Sequence, residues 1–218
     1  MYDIVASASC DLVINAKGHS LSYSLQIDLE QYATSAHIAS HMLFVAESQY
    51  EDIAERTVLD LGCGCGILSI ASALMGASHV IGIDCDESAL ETAVSNIDGF
   101  DPLPIDLIHG LVTPDRFPLS PKCVDTVVSN PPFGTRRAGA DLQFLQLGIQ
   151  SARRAVYSMH KSSTRSHIQK WLKSQDRVAS AKVIAELRFD LPSTYKFHSK
   201  KSKDIEVDIW RVDISEED

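Results

Sequence analysis

Residues 57–66 read Thr-Val-Leu-Asp-Leu-Gly-Cys-Gly-Cys-Gly, and this stretch decides the fold. The apolar run Thr57–Leu61 precedes three glycines at alternate positions, and residues 67–74 then place apolar side chains at helical spacing. Glycine lets the backbone turn sharply and lets a ligand approach the main chain closely. The order therefore predicts a buried strand, a glycine loop and a helix.

Strand-like and helix-like segments alternate along the rest of the 218-residue chain. Alternation of this kind predicts an α/β fold with a mostly parallel sheet covered by helices on both faces. The last two predicted strands have no helical pattern between them, so we expect an antiparallel C-terminal hairpin in a seven-stranded sheet. The predicted strands are 57–61, 79–83, 105–109, 124–129, 155–159, 183–189 and 205–212, and the helices after the glycine loop are 86–97, 141–154 and 163–173.

The composition is that of one globular domain, with 44% hydrophobic and 22% charged residues. We assign residues 29–218 to this domain and residues 1–28, which show no clear periodicity, to an N-terminal segment of uncertain order. No apolar run of about 18 residues and no secretory signal pattern is visible, so we expect a soluble intracellular protein. The five cysteines are odd in number and lack C-x-x-C spacing, which favours reduced thiols over disulfides or a zinc site.

Charge is unevenly distributed along the chain. The net charge is −9, yet residues 130–203 contain 15 Lys or Arg against 4 Asp or Glu. A basic region on an acidic protein suits a phosphate backbone on one face, whereas a solvated surface without a ligand is the simpler alternative.

Asp84 lies 22 residues beyond Gly62, at the end of the second predicted strand. A carboxylate at this position can accept hydrogen bonds from both ribose hydroxyls of a nucleoside. The form D-L-G-x-G-x-G resembles the loop that binds S-adenosylmethionine (SAM) more than the G-x-G-x-x-G of dinucleotide-binding domains. We predict that the loop makes room for the methionine part of SAM and that Asp60 meets its ammonium directly or through water. A tight turn with a helix-capping aspartate is the alternative.

The tetrapeptide Asn130-Pro131-Pro132-Phe133 follows the predicted strand 124–129, at the end where open α/β sheets bind ligands. The consecutive prolines stiffen the loop and aim carbonyl groups at the pocket. An amine on an aromatic ring can donate to the Asn130 side-chain oxygen and the Pro131 carbonyl while Phe133 stacks on the ring. This arrangement turns the nitrogen lone pair toward the SAM methyl group and predicts an amine methyltransferase. An ordinary rigid turn is the alternative.

These motifs and others further along the chain resemble the eukaryotic 18S ribosomal-RNA adenine-N6 methyltransferases, the methyltransferase-like protein five family. The resemblance covers residues 29–212, and its most specific parts are 160–165 (H-K-S-S-T-R) and 195–198 (Y-K-F-H). It implies a class I, Rossmann-like methyltransferase fold. It also implies an enzyme of the nucleus and cytoplasm that uses SAM to methylate the N6 amine of an adenine in 18S rRNA.

The resemblance also implies the site residues. Contacts to SAM would come from Gln31 and Thr34 ahead of the first strand, from Gly62, Cys65 and Ile67 at the loop and from Asp84 at the ribose, while Asn130 to Phe133 would hold the adenine. For Gln31 and Thr34, a helix-start segment without a ligand is the alternative. Two departures from the family stand out. Leu111 occupies the position of an aspartate that meets the SAM adenine, and the polar N-terminus has Ala33 where the family has a proline.

The basic region supplies the candidate RNA contacts that the resemblance implies. Lys161 and Arg165 join a predicted strand to a predicted helix and would meet phosphates at the rim of the site, although Ser162 or Ser163 could instead simply cap that helix. The segment 195–203 mixes aromatic and basic side chains suited to unpaired RNA, with an unliganded basic loop as the alternative. Its candidate contacts are Tyr195, Lys196, Lys200, Lys201 and Lys203.

The third predicted strand, 105–109, would lie at an edge of the sheet in the class I strand order. Such an edge has unpaired backbone groups, and Ile105, Leu107 and Ile108 add apolar side chains. The resemblance implies a partner here, a small zinc-binding activator subunit that adds a strand and forms a heterodimer. An edge protected by its own flanking loops is the alternative.

Two other functions are compatible with the motifs. A glutamine-N5 protein methyltransferase solves the same chemical problem at an amide nitrogen and uses a similar N-P-P-aromatic loop. A catalytically silent RNA- or partner-binding protein of the same fold is the second alternative. The basic stretch argues against the first, and retention of every residue from Asn130 to Phe133 argues against the second.

Overall fold

The computed structural model describes residues 34–133, 139–189 and 205–215. They form a seven-stranded sheet of order β3-β2-β1-β4-β5-β7-β6, in which β1 to β5 are parallel and β7 is antiparallel to β5 and β6. The strands are β1 (Thr57–Leu61), β2 (His79–Asp84), β3 (Ile105–His109), β4 (Val124–Ser129), β5 (Ala152–Lys161), β6 (Val178–Phe189) and β7 (Ile205–Ile214). The predicted α/β fold with an antiparallel C-terminal pair is confirmed.

Five α-helices connect these strands within the described residues. They are α1 (Ala36–Tyr50), α2 (Ile67–Leu74), α3 (Glu87–Ile97), α4 (Ala140–Ser151) and α5 (Arg165–Leu172), and a 3₁₀ turn over Ser162–Thr164 precedes α5. Side chains of α1 and α2 pack on one face of the sheet, and those of α4 and α5 pack on the other. The sheet is therefore covered on both faces, as the sequence predicts.

The main difference from the sequence prediction lies between α4 and β5. The predicted helix 141–154 ends at Ser151, and the next residue, Ala152, has extended backbone with φ −79° and ψ 147°. Ala152 is buried and pairs with Val124 of β4. Strand pairing therefore overrides the local helical pattern here, as tertiary context often does. In the same way β6 begins at Val178, earlier than the predicted start at 183.

Helix α1 was not assigned from the sequence, although its ends carry clear signals. The Ser35 hydroxyl caps its start by accepting a hydrogen bond from the backbone N–H of Ile38 at 3.3 Å. Just past its last residue, Glu51 adopts a left-handed conformation with φ 53°, which ends the helix. The helix thus has defined limits and buries one face against the sheet.

A buried ionic network fastens the end of α1 to the sheet. Asp52 is buried, and its Oδ2 accepts hydrogen bonds from Tyr157 Oη at 2.8 Å and Arg211 Nη2 at 2.9 Å. Thr126 Oγ1 donates to the Asp52 carbonyl at 2.7 Å, and the Arg211 guanidinium lies over the Tyr50 ring, 4.0 Å from its centroid. Asp52 therefore links α1 to β4, β5 and β7.

The cysteines of the described residues are reduced. Cys63, Cys65, Cys85 and Cys123 are free thiols, and Cys10 lies outside the described residues. Burial raises the pKa of the Cys65 thiol to about 11, which keeps it protonated at neutral pH. None of the helices in the described ranges is long and apolar enough to cross a membrane.

Replacing Asp52 with alanine should lower the free energy of unfolding by about 3 kcal/mol, because Tyr157 and Arg211 would lose their shared buried acceptor and Arg211 would keep only the more exposed Asp213. Arg153→Ala is the matched control. Arg153 is half exposed and pairs with Asp125 at 3.6 Å, and such a pair contributes about 0–1 kcal/mol. Denaturant unfolding measures both variants, and equal losses would contradict a stabilising role for the Asp52 network.

Candidate active site

The carboxyl ends of β1, β2, β4 and β5 meet at one edge of the sheet. Leu61 pairs with Ile83 on one side and with Ser129 on the other, and Ser129 pairs with Ser158. The Ser129 hydroxyl also donates to the Leu61 carbonyl at 2.8 Å. The glycine loop, Asp84 and the N-P-P-F tetrapeptide follow or end these strands. The structure therefore brings the predicted motifs together where open parallel sheets bind ligands.

The glycine loop is tied to the end of β2. The backbone N–H groups of Gly62 and Cys63 both donate to the Ile83 carbonyl, at 2.9 and 3.0 Å. Gly62 has φ 73°, and a Cβ there would lie 2.8 Å from the Phe144 ring, so a larger residue would strain the turn. A Cβ on Gly64 would meet no described atom within 4 Å. Within the part of the chain that the structure describes, this side of the loop therefore faces unfilled space.

Asp84 holds the loop in place. Its Oδ2 accepts the Gly64 N–H at 2.8 Å, and its Oδ1 accepts the Asp86 N–H at 2.9 Å. Burial raises the pKa of Asp84, and these backbone hydrogen bonds partly counter the rise. Helix capping belongs to the neighbouring carboxylate instead, because Asp86 accepts the Ser88 N–H at 3.0 Å at the start of α3. Asp84 itself ends β2 beside the loop.

Asp60 is fully buried. Its Oδ2 accepts a hydrogen bond from the Ser69 hydroxyl of α2 at 2.7 Å, whereas its Oδ1 has no hydrogen-bond partner among the described residues. Burial raises the pKa of Asp60 to about 7, with a smaller contribution from the negative charge of Asp84. The unsatisfied oxygen is suited to a cationic ligand, which would favour the ionised carboxylate.

The tetrapeptide lies between α1 and β5. Asn130 Nδ2 donates to Thr34 Oγ1 at 2.9 Å, so the side-chain oxygen is at the opposite end of the amide from Thr34. Phe133 is buried in the core on the α1 side of the sheet. The Lys161 ammonium lies 5.6 Å from the centroid of the Phe133 ring, a cation–π distance. Thr34 and Lys161, predicted for cofactor and RNA respectively, thus both contact the predicted adenine loop.

Arg165 forms an ion pair within the protein. Its Nε and Nη2 donate to the two carboxylate oxygens of Asp208 at 2.7 and 2.6 Å, and it also pairs with Glu186 at 3.0 Å. The Ser162 hydroxyl donates to Asp208 at 2.6 Å and makes no cap hydrogen bond to α5. Burial favours a higher pKa for Asp208, but the hydrogen bonds from Arg165 and Ser162 hold it below its ordinary value. A phosphate contact by Arg165 stays a prediction and would compete with this pair.

Sequence reasoning missed two polar side chains that support the site. Asn96 Nδ2 donates to the Cys65 carbonyl at 2.9 Å and so holds the glycine loop from α3. His160 is buried with Nε2 2.9 Å from the Ser158 hydroxyl, and its Nδ1 lies 3.7 Å from Asp141, whose pKa it holds below the ordinary value. The Asn96–Cys65 and His160–Asp141 contacts have no local signature, because each joins two separate segments of the chain, whereas Ser158 and His160 lie two residues apart on β5.

Some of the remaining predicted site residues lie within the described residues and others lie outside them. Cys65 and Ile67 are buried where the loop enters α2, and Leu111 is 42% exposed after β3. Strand β3 lies at the edge of the sheet, as predicted, with Leu107 partly buried against Gly82. The predicted contacts outside the described residues are Gln31, Tyr195, Lys196, Lys200, Lys201 and Lys203.

A family model and a solved structure are similar to this chain. The family model for ribosomal protein L11 methyltransferase (PrmA) matches residues 32–130, which include the glycine loop and end at Asn130. The solved structure of PH1948 from Pyrococcus horikoshii is 31% identical with a TM-score of 0.78, covering 94% of this chain and 98% of that one.

Two relatives match along most of their length. The rRNA N(6)-adenosine-methyltransferase METTL5 of Danio rerio is 49% identical over 187 residues, 85% of this chain and 89% of that protein. The rRNA N(6)-adenosine-methyltransferase Mettl5 of Drosophila melanogaster is 47% identical over 193 residues, 88% of this chain and 90% of that protein. At this identity and coverage, the chain belongs to the METTL5 family of rRNA N(6)-adenosine-methyltransferases.

Proposed function

We propose that this SAM-dependent rRNA adenine-N6 methyltransferase acts on 18S rRNA of the small ribosomal subunit, in the nucleus and cytoplasm. The observation that carries the chemistry is the oriented Asn130 amide, held by Thr34 at 2.9 Å at the same sheet edge as the glycine loop and Asp84. The relatives are named for methylation of rRNA adenosine at N6. The basic balance of residues 130–203 and the family resemblance support the 18S substrate.

The described residues fit SAM. Open space beside Gly64 suits the methionine part, the unsatisfied Asp60 oxygen suits its ammonium, and Asp84 suits the ribose hydroxyls. When bound, SAM supplies a methyl group on a sulfonium sulfur that departs as a neutral thioether. The two carboxylate oxygens of Asp84 each accept a backbone hydrogen bond. The carboxylate is therefore oriented before the nucleoside binds.

Asn130 and Pro131 hold the acceptor amine in this proposal. The Asn130 side-chain oxygen and the Pro131 carbonyl accept the two N6 hydrogens, which turns the nitrogen lone pair out of the ring plane. Transfer of the methyl group from the SAM sulfonium to this nitrogen would leave a neutral thioether, and the displaced N6 proton would pass to water. A strong general base is not required, because the reaction is an in-line displacement governed by positioning. Stacking of the base on Phe133, also part of this proposal, would require the buried ring to become accessible beside Lys161, whose ammonium lies 5.6 Å from the ring centroid.

A glutamine-N5 protein methyltransferase would need the same Asn130 geometry, so the tetrapeptide does not distinguish the two substrates. The similarity to known proteins does. The protein-methylating family matches only residues 32–130. The rRNA-methylating relatives match 85 and 88% of the chain, including the half beyond Asn130. The second half carries the basic stretch and supports RNA as substrate.

Asn130→Ala should reduce kcat for methylation of 18S rRNA by at least about 100-fold, the scale of losing one pre-organised polar group at the reacting atom. SAM affinity should stay within about threefold, because Asn130 contacts the acceptor and not the cofactor. Single-turnover transfer from labelled SAM measures the first quantity and calorimetry the second. Turnover near that of the unmodified enzyme would refute the assignment of Asn130.

SAM affinity should weaken as the pH falls below about 7, because burial raises the pKa of Asp60 to about 7. An ammonium beside Asp60 favours the ionised form. Below that pKa a proton must therefore leave before SAM binds, and Kd should rise by up to about tenfold per pH unit. Calorimetry across this range measures the dependence, and Asp60→Asn should flatten it. An unchanged profile in Asp60→Asn would assign the titration to another group.

We also propose that the open edge of β3 pairs with a small zinc-binding activator subunit to form a heterodimer. Val80 N–H donates to the Pro104 carbonyl, and Gly110 N–H donates to the Asp84 carbonyl. The backbone N–H and C=O groups of the even-numbered residues 104–110 therefore point toward β2. Since backbone groups alternate along a strand, those of Leu107 and His109 point away from β2. They are available to an added strand.

His109→Pro should weaken activator binding by about tenfold or more, because it removes an outward backbone N–H from the edge. His109→Ala is the matched control, since it removes the same side chain and retains that N–H. Affinity for the purified activator can be measured by interferometry. Equal affinities for the two variants would mean that the activator does not pair with this part of β3.

A further inference from the structure

We propose that Thr34 is the positioning residue for Asn130, holding its amide in the place that methyl transfer requires. The proposal rests on the proposed function, since it assumes that the Asn130 oxygen accepts a hydrogen bond from the adenine amine. It differs from the SAM contact that the family resemblance implies for Thr34. In the structure the Thr34 hydroxyl oxygen lies 2.9 Å from Asn130 Nδ2.

The orientation of the Asn130 amide matters because its two ends have nearly the same shape and opposite chemistry. The oxygen can accept a hydrogen from the adenine amine, whereas the NH₂ group would meet it donor to donor. Thr34 Oγ1 supplies the acceptor that the NH₂ end needs when the oxygen faces the substrate. The hydroxyl could also donate to the amide oxygen, so Thr34 restrains where the Asn130 amide lies, and the adenine amine, which needs the oxygen, selects the orientation.

Burial makes the Thr34 contact effective. Thr34 is only 4% exposed, so water competes poorly for the Asn130 NH₂ group at this contact. A buried donor that loses its acceptor is destabilised by its full desolvation free energy, whereas an exposed donor turns to water. Removing the Thr34 hydroxyl should therefore change the orientation or mobility of Asn130.

The position of Thr34 is set by α1 and not by a local turn. Thr34 directly precedes Ser35, which caps the helix, and the buried face of α1 packs on the sheet. In the last turn of α1, Glu47 Oε2 accepts the backbone N–H groups of Ile53 and Ala54, which follow the helix, at 3.0 and 2.8 Å. The packing of α1 thus brings the Thr34 hydroxyl next to Asn130, although the two residues are 96 positions apart in the chain.

The test compares Thr34→Val, Thr34→Ser and Ser35→Ala in the full-length chain. Valine keeps the volume of threonine without the hydroxyl, and serine keeps the hydroxyl. Ser35→Ala removes a neighbouring hydroxyl and the helix cap without touching Asn130. We expect kcat at saturating SAM and 18S rRNA to fall about 10- to 100-fold in Thr34→Val, the scale of a small misplacement at the reacting centre. Thr34→Ser should recover activity to within about threefold of the unmodified enzyme, and the SAM Kd should change by less than about threefold in Thr34→Ser and Ser35→Ala. Because kcat is measured at saturating SAM, its fall in Thr34→Val does not depend on any change in the SAM Kd of that variant.

Three results would overturn the positioning role. A raised SAM Kd with unchanged kcat in Thr34→Val would assign the hydroxyl to the cofactor. An equal loss of kcat in Ser35→Ala would assign the effect to the start of α1. A Thr34→Ser variant as slow as Thr34→Val would show that the hydroxyl is not the active feature. If Thr34→Val does not fold, Thr34→Ala replaces it in the same comparison with Thr34→Ser.

Asn130→Ala separates this inference from the proposed function. Loss of activity in Asn130→Ala together with normal activity in Thr34→Val would overturn the positioning role alone. Normal activity in Asn130→Ala would overturn the function assigned to the tetrapeptide, and the role of Thr34 with it. A large loss in both, with recovery in Thr34→Ser, supports both proposals.

Discussion

The Ile83 carbonyl accepts two hydrogen bonds from the glycine loop, and the geometry of the site depends on this contact. It holds Gly62 and Cys63 against the end of β2, so that Asp84, the next residue after Ile83, can accept the Gly64 N–H. Loop and carboxylate therefore form one unit, and a shift in either would move the other. Because β1 pairs with both β2 and β4 in register, the N-P-P-F tetrapeptide emerges beside this unit.

The hydrogen bonding of the buried Asp60 carboxylate is incomplete among the described residues. One carboxylate oxygen has its hydrogen bond from Ser69, and the other is buried without a partner among the described residues. Desolvation outweighs the hydrogen bonds from Ser69, so the pKa rises to about 7. An unsatisfied buried polar group destabilises the folded state, and such departures from full satisfaction are expected at functional sites. A cation placed beside Asp60 would remove this penalty, which couples ligand binding to ionisation of the carboxylate.

Helix α1 joins the stabilising network of the protein to its reaction centre. Beyond its C-terminal end, Asp52 links it to Tyr157 and Arg211, and ahead of its N-terminal end Thr34 contacts Asn130. A helix of 15 residues spans about 22 Å, so the same element reaches from the buried ion network to the N-P-P-F tetrapeptide. A change at either end would be transmitted through a packed helix, because close-packed interiors deform little.

The sequence by itself determined the fold class, the family and the main motif residues. Alternation of strand and helix patterns is local, and each motif follows a recognisable strand, so Asp84 and Asn130 could be assigned to strand ends without coordinates. Element limits and side-chain partners were decided by the tertiary structure. Ala152 is extended because it pairs with Val124, and Thr34 reaches Asn130 only because α1 packs on the sheet. Arg165 meets Asp208, 43 residues away, because β7 inserts between β5 and β6. Such contacts follow from the order of strands in space, which brings together residues that no local pattern relates.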